Sequence, residues 1–185
     1  LCVALMETYA GVCFYMRSII NFSPRPDLSS PLLENLSIEI GKPSSKPFIV
    51  STWYRPPDVT SDKFSYFESF IGRLDAGNVE YYLLGDLNCE LGGAVLDRNS
   101  RLLTDIADLY GMHQLINEPT RITESSSTII DHIFANIPDK IVSSVVLHVG
   151  IRDHSLIYAF RKLPTGTYNK DHSTITCRIL KFWSS

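Results

Sequence analysis

The chain has 185 residues, of which 44% are apolar and 20% charged, and its formal net charge is −3. That length suits one domain with a real two-layer core, and the composition excludes a disordered chain. A protein that holds nucleic acid by phosphate neutralisation alone would be basic, so any nucleic-acid function must rest on a local site. No apolar run reaches the length of a membrane span, and residues 1–6 are too short for a signal-peptide core. Cys2, Cys13, Cys89 and Cys177 are scattered without a Cys-x-x-Cys pair and read as buried thiols of a reducing compartment.

Residues 12–17 (Val-Cys-Phe-Tyr-Met-Arg) are dense in β-branched and aromatic side chains and predict a buried strand. Pro24, Pro26 and Pro31 then mark a loop. Strands at 36–40 and 48–54 flank the turn-rich stretch 41–47 and suggest a hairpin. Over 61–74, Phe64, Phe67, Phe70, Ile71 and Leu74 fall on one helical stripe, with Ser61 placed to cap it and Asp62 to complement its dipole. Gly77-Asn78 ends that helix, and 79–84 enters a central strand that stops at Gly85. A second helix over 99–110 carries Leu102, Leu103, Ile106, Leu109 and Tyr110 on its apolar face, with Gly111 as its stop. Strands follow at 128–135, 141–149 and 155–160. From Leu163 onward the chain is polar, with Pro164 and Gly166, and reads as a linker or tail. Strands mixed with two helices predict sheets packed on each other with helices outside.

Chemistry concentrates where strands end. In Gly85-Asp86-Leu87-Asn88, Asp86 and Asn88 are two apart, so an extended backbone points both to one side. A carboxylate beside an amide can accept from a water and donate to a phosphate oxygen. The same residues also make good turn chemistry. Asp153-His154 opens the last strand and offers a hard oxygen ligand next to a group that titrates near neutrality. Asp131 interrupts an apolar run, where it either fixes the tautomer of a His ring or faces outward with Ile133. His132, on the opposite strand face, reads as an ordinary strand residue, and His113 and His148 get no role. Trp53-Tyr54-Arg55-Pro56-Pro57 brings a phenol and a guanidinium to a strand end, for phosphate contact or for capping the core.

Taken in order, Tyr54-Arg55-Pro56-Pro57, Gly85-Asp86-Leu87-Asn88, Ser127-Thr128-Ile129-Ile130-Asp131 and Asp153-His154 resemble the endonuclease/exonuclease/phosphatase superfamily. The likeness covers about 10–162 and is strongest to the apurinic-endonuclease-like domain of non-LTR retrotransposons. It implies an α/β fold of two mixed β-sheets packed face to face with flanking helices, a four-layer sandwich over 1–162, with 163–185 as linker or tail. By the same resemblance Asp86 would activate or orient the attacking water and Asn88 would help hold the phosphate. Asp153 would bind the metal, Mg²⁺ or Mn²⁺. His154, oriented by Asp131, would contact the phosphate or assist proton transfer, and Tyr54 would bind phosphate or stabilise developing charge.

The implied reaction is metal-assisted attack of water on a DNA phosphodiester, nicking one strand for retroelement insertion. DNA is then the substrate, with no membrane partner, a reverse transcriptase downstream in the full-length element, and an intracellular, nuclear place of action. Two departures bear on activity. Residues 1–6 with Glu7-Thr8 resemble the strand that ends in a metal-binding Glu, yet Gly11-Val12 follow too soon, as in a domain truncated at its N-terminus. Arg152 stands where the pattern has a small Ser, and its cation would either repel a metal or partly replace its charge. An inactive remnant or interaction module with the same fold, and a phosphatase or lipid phosphodiesterase, are the alternatives.

Overall fold

The computed structural model describes residues 2–6 (as backbone), 12–41, 46–150 and 152–162. Glu7 and the expected tail at 163–185 lie outside the described residues. In chain order, β1 (Cys2–Met6) and β2 (Cys13–Arg17) form an antiparallel pair. Next come β3 (Asn21–Pro24), β4 (Glu34–Gly41) and β5 (Phe48–Tyr54), with β4 antiparallel to β3 and β5 antiparallel to β4. Helix α1 (Lys63–Ala76) crosses over to β6 (Glu80–Asp86), which runs parallel to β5. Helix α2 (Arg98–Leu109) leads into the short strands β7 (His113–Gln114), β8 (Arg121–Ile122) and β9 (Ser127–Thr128). Strand β10 (Asp131–Ala135) returns antiparallel to β6, and β11 (Ile141–Leu147) pairs with β12 (Leu156–Arg161). The central sheet has the order β3-β4-β5-β6-β10-β7, and β1–β2, β8–β9 and β11–β12 are separate pairs.

Alternation along the strands divides the core in two. On one face Trp53, Tyr81, Leu83 and Phe134 meet Phe64, Phe67, Phe70, Ile71 and Leu74 of α1 and Leu103 and Ile106 of α2. Trp53 stacks on Phe67 at 4.2 Å between ring centroids. Aromatics buried this fully contribute about 2–3 kcal/mol each by removal from water. On the other face Leu36, Ile38, Val50, Tyr82, Leu84 and Ile133 meet Phe14 and Met16 of β2 and Ile157 of β12. The fold is therefore the layered α/β plan expected from the sequence. Among the described residues both helices lie on one face, and the β1–β2 and β11–β12 pairs cover the other.

Local expectations divide. The hairpin at 36–40 and 48–54 forms, with Leu36 opposite Thr52 and Ile38 opposite Val50. Ser61 does not cap α1 through its side chain: the amides of Lys63, Phe64 and Ser65 donate to the carbonyls of Thr60, Ser61 and Asp62. Asp62 takes the N-cap position without a side-chain cap, because its carboxylate accepts from the Thr60 hydroxyl. The loop expected around Pro24 is in part the edge strand β3, where a residue lacking an amide donor is tolerated. The strand expected at 128–135 breaks at Ile129-Ile130, whose amides donate to the Glu90 carboxylate and the Thr120 hydroxyl instead of to a neighbouring strand.

Candidate active site

The site begins with a glycine. A Cβ on Gly85 would stand 1.9 Å from the Trp53 carbonyl oxygen, so only glycine lets the ends of β5 and β6 approach this closely. That approach carries β6 two residues past Leu84, to Asp86, rather than stopping at Gly85. The Arg55 amide donates to the Asp86 carbonyl at 3.0 Å and closes the gap. Asp86 shares a strand face with Tyr82 and Leu84 and is 5% exposed.

Directly across from it on β10 sits Asp131. Two carboxylates in opposite register repel unless something cationic or a proton stands between them. His154 supplies the third group: its Nδ1–H donates to Asp131 Oδ2 at 2.9 Å, and its backbone bridges to Arg121. Possible ligand atoms of Asp86, Asp131 and His154 all lie within 4.8 Å of one another. Oxygen donors with one imidazole match the donor set of a hard divalent cation such as Mg²⁺ or Mn²⁺. The side chains of Asp131 and His154 keep some exposure, so the cluster opens to solvent while Asp86 forms its floor.

Asn88 closes the Asp86 end. Its φ is +46°, in the left-handed region that Asn tolerates, and its amide donates to Asp86 Oδ1 at 3.2 Å. Its Nδ2 donates to the Arg55 carbonyl at 2.8 Å. The turn and the convergence are thus one feature, since the turn is what brings Asn88 beside Asp86. Tyr54, half-buried, ends β5 opposite Glu34 and packs on the same side of the sheet as Leu84. It stands at the same rim, one strand away from Asp86, and outside the group of three.

Asp153 does not join that group. Its Oδ2 accepts from Arg121 Nε at 2.8 Å, and this bond holds the carboxyl below the usual carboxylate range. The residue expected to bind metal therefore already has a cationic partner 32 positions earlier in the chain. Arg152 is exposed. Arg55 is corrected outright as a phosphate contact: it is 1% exposed, and its guanidinium donates to the carbonyls of Leu87, Asn88 and Val59.

His132 is fully buried on the helix side of the sheet, away from Asp131. Its Nε2–H donates to the Cys89 carbonyl at 2.9 Å, and Nδ1 accepts from the Gln114 amide. Burial pushes its pKa down to about 4, so it is a neutral core residue at ordinary pH. His148, left without a role, shares a hydrogen bond of 2.7 Å with the Ser155 hydroxyl. Cys13 and Cys89 are buried free thiols, and burial pushes Cys89 up to about 12.

Three residues around the site escaped sequence reasoning. Thr120 is fully buried, and its hydroxyl accepts from the amides of Ile130 and Asp131 at 3.1 and 3.0 Å. Its backbone carbonyl accepts from Ser155, so Thr120 ties the Asp131 segment to the His154 segment. Arg121 was missed because its partner is remote in sequence. Glu34, opposite Tyr54, buries a carboxylate oxygen with no hydrogen-bond partner, and burial raises its pKa. An isolated Thr, Arg or Glu carries no local pattern; a polar residue flanked by strand-like apolar runs was the faint signal available for Thr120.

Neither family models nor curated proteins match the chain. Solved structures do. The endonuclease domain of TRAS1, a telomere-specific non-LTR retrotransposon, superposes with a TM-score of 0.74 at 16% identity, covering 88% of this chain and 81% of that one. A 3′-5′ exonuclease (NExo) from Neisseria meningitidis gives a TM-score of 0.60 at 16% identity, over 88% and 80% of the two chains. An endonuclease/exonuclease/phosphatase family protein from Leptotrichia buccalis gives 0.52 at 14% identity, over 79% and 62%. At such identities likeness speaks for architecture, and the architecture agrees across all three: the chain has the fold of the endonuclease/exonuclease/phosphatase superfamily.

Proposed function

We propose that the chain is a metal-dependent phosphodiester hydrolase of endonuclease type that nicks DNA. The observation that carries this reading is the convergence of Asp86, Asp131 and His154 within 4.8 Å at one sheet rim, with Asn88 turned back beside Asp86. A scaffold gains nothing from two carboxylates placed directly opposite each other, whereas a site for a cation and a phosphate does. The TRAS1 domain, an endonuclease of a non-LTR retrotransposon, supports DNA as the substrate and retroelement insertion as the setting.

Each residue then has a stated task. Asp131, being acceptor-only, fixes His154 as the Nδ1–H tautomer and leaves Nε2 to hold or pass a proton at the phosphate. Asp86 accepts from the attacking water and orients it for in-line displacement. Asn88 places amide hydrogens and an oxygen within the same turn, and the Tyr54 phenol stands one strand away to donate to a phosphoryl oxygen. The residues that would hold a divalent cation are Asp86 and Asp131, through carboxylate oxygens, with His154 beside them keeping its Nε2 for the phosphate; Asp153 would join them by releasing Arg121. A cation bound there would neutralise charge developing on the phosphoryl oxygens.

The test is nicking of supercoiled plasmid with Mg²⁺ or Mn²⁺, set against Asp86→Ala. Loss of nicking in that variant is expected; equal nicking by wild type and variant would remove the assigned site. Release of phosphate from inositol phosphates without nicking would move the chain to the phosphatases. One observation favours an inactive remnant as the second reading: Arg121 neutralises the carboxylate that the resemblance assigns to the metal. A wild-type chain that binds neither Mn²⁺ nor DNA would decide for it.

A further inference from the structure

Arg55 is a buried guanidinium for which no carboxylate among the described residues lies at ion-pairing distance. Its charge reaches the Asp97 carboxylate without touching it, and a cation taken out of water with no carboxylate in contact is expensive, so its place in the fold needs a compensating gain. Its Nη2 donates to the Val59 carbonyl at 2.8 Å, its Nη1 reaches the Leu87 and Asn88 carbonyls at 3.4 Å each, and its Nε makes no hydrogen bond. The group lies 5.4 Å from the centre of the Phe64 ring, a cation–π contact. The main chain repeats the grip: the Arg55 amide donates to the Asp86 carbonyl, and the Arg55 carbonyl accepts from Asn88 Nδ2. The turn from Asp86 to Asn88, with Asn88 at φ +46°, is thus fastened to one residue from three directions.

The geometry points to Arg55 as a positioning residue for the site, one that fixes the Asp86–Asn88 turn in its working shape from inside the core. This inference rests on the proposed hydrolase reading for its kinetic consequence, though not for its structural one. Arg55 touches no substrate. It draws two consecutive turn carbonyls inward, which keeps Asn88 folded back beside the Asp86 carboxylate at the floor of the cluster. An apolar residue of similar volume would fill the space without holding those carbonyls. Displacing a reacting group by about 1 Å costs on the order of 100-fold in rate. The effect should therefore fall on kcat, with KM for DNA nearly unchanged.

The experiment compares wild type with Arg55→Met and Arg55→Lys, using Arg161→Met as a control. Arg161 forms a part-buried ion pair with Glu80 at the far end of β6, roughly 20 Å from Asp86 along the strand. Its loss should lower stability without changing kcat. Three readouts are taken: thermal melting, plasmid nicking split into kcat and KM, and the side-chain amide resonances of Asn88 in ¹⁵N-labelled protein. Expected are a 10- to 100-fold fall in kcat for Arg55→Met, a smaller fall for Arg55→Lys, and movement of the Asn88 signals in both. Folded variants whose kcat stays within twofold of wild type and whose Asn88 signals do not move would overturn the inference. So would failure of both to fold, which assigns Arg55 to the scaffold as a whole. If wild type itself fails to nick, the hydrolase reading falls while the Asn88 resonances still decide whether Arg55 holds the turn.

Discussion

Acid should weaken this fold through His132, and the size of the effect follows from its surroundings. The ring is fully buried between the Cys89 carbonyl and the Gln114 amide, 5.7 Å from the Phe134 ring, and burial pushes its pKa from 6.5 to about 4. Between those two pH values the unfolded chain takes up a proton that the folded chain refuses. Stability from this group is therefore complete above about pH 6.5 and is lost as pH falls towards 4. The whole interval is worth about 3 kcal/mol, and the part between pH 7.5 and 5 about 2 kcal/mol. That is a large fraction of a typical folding free energy of about 5–15 kcal/mol. Carboxylates held down by their partners, such as Asp97 and Asp153, lose their contributions in more acid solution, outside this window. Urea denaturation at pH 7.5 and pH 5.0 measures the difference, and His132→Gln isolates it, because Gln keeps a donor for Cys89 and an acceptor for Gln114. The wild type should lose about 2 kcal/mol more than the variant between the two conditions, a difference in which opposing groups such as the buried Glu34 cancel. An equal loss in both proteins would show that His132 is not the acid-sensitive group.

Three other perturbations have calculable outcomes. Gly85→Ala places a methyl against the Trp53 carbonyl, so the ends of β5 and β6 must part; a loss of about 1–3 kcal/mol or more is expected in denaturant unfolding, together with lost nicking. Thr120→Val leaves the amides of Ile130 and Asp131 without their acceptor and should cost about 2–5 kcal/mol, while Thr120→Ser should recover most of it, both read from thermal melts. Asp97→Ala removes the α2 cap, in which the carboxylate accepts from the Ser100 amide at 2.7 Å, and should cost about 1 kcal/mol with no change in nicking.

What the sequence disclosed depended on how local the cause was. Helix α1 was legible because Phe64, Phe67, Phe70, Ile71 and Leu74 share one face at the helical period, and that face is the one buried. The β4–β5 hairpin was legible from two apolar runs around a turn-rich stretch. The rim residues were found as polar groups at the ends of apolar strands, and the coordinates bring Asp86, Asp131 and His154 together. The failures have remote causes. The break in the expected strand at 128–135 comes from Glu90 and Thr120, whose side chains take amides that a ladder would otherwise use. Arg55 read as a phosphate contact or a cap on the core because the carbonyls that bury it arrive 32 and 33 residues later. The Arg121 partner of Asp153 went unread because it lies 32 residues earlier, with no local signal near Asp153.

A row across the sheet ties these points together. Glu34 stands opposite Tyr54 on β4 and β5, Tyr54 adjoins the end of β6, and Asp86 stands opposite Asp131 on β6 and β10. Four neighbouring strands thus present carboxylate, phenol, carboxylate and carboxylate at one level and on one face. The positions just beneath them on that face, Leu36, Thr52, Leu84 and Ile133, are buried, three of them apolar. The change in chemistry within one pleat repeat marks where the core stops and the rim starts. Like charges in adjacent register cost the sheet stability, and Glu34 adds a buried oxygen with no hydrogen bond. That local cost is offset by the aromatic packing under α1, by Thr120 and Arg55 holding the loops, and by the glycine that lets β5 and β6 close. Glu34, Tyr54, Asp86 and Asp131 are thus held in register along one edge of the sheet, where the proposed cation and phosphate would meet them.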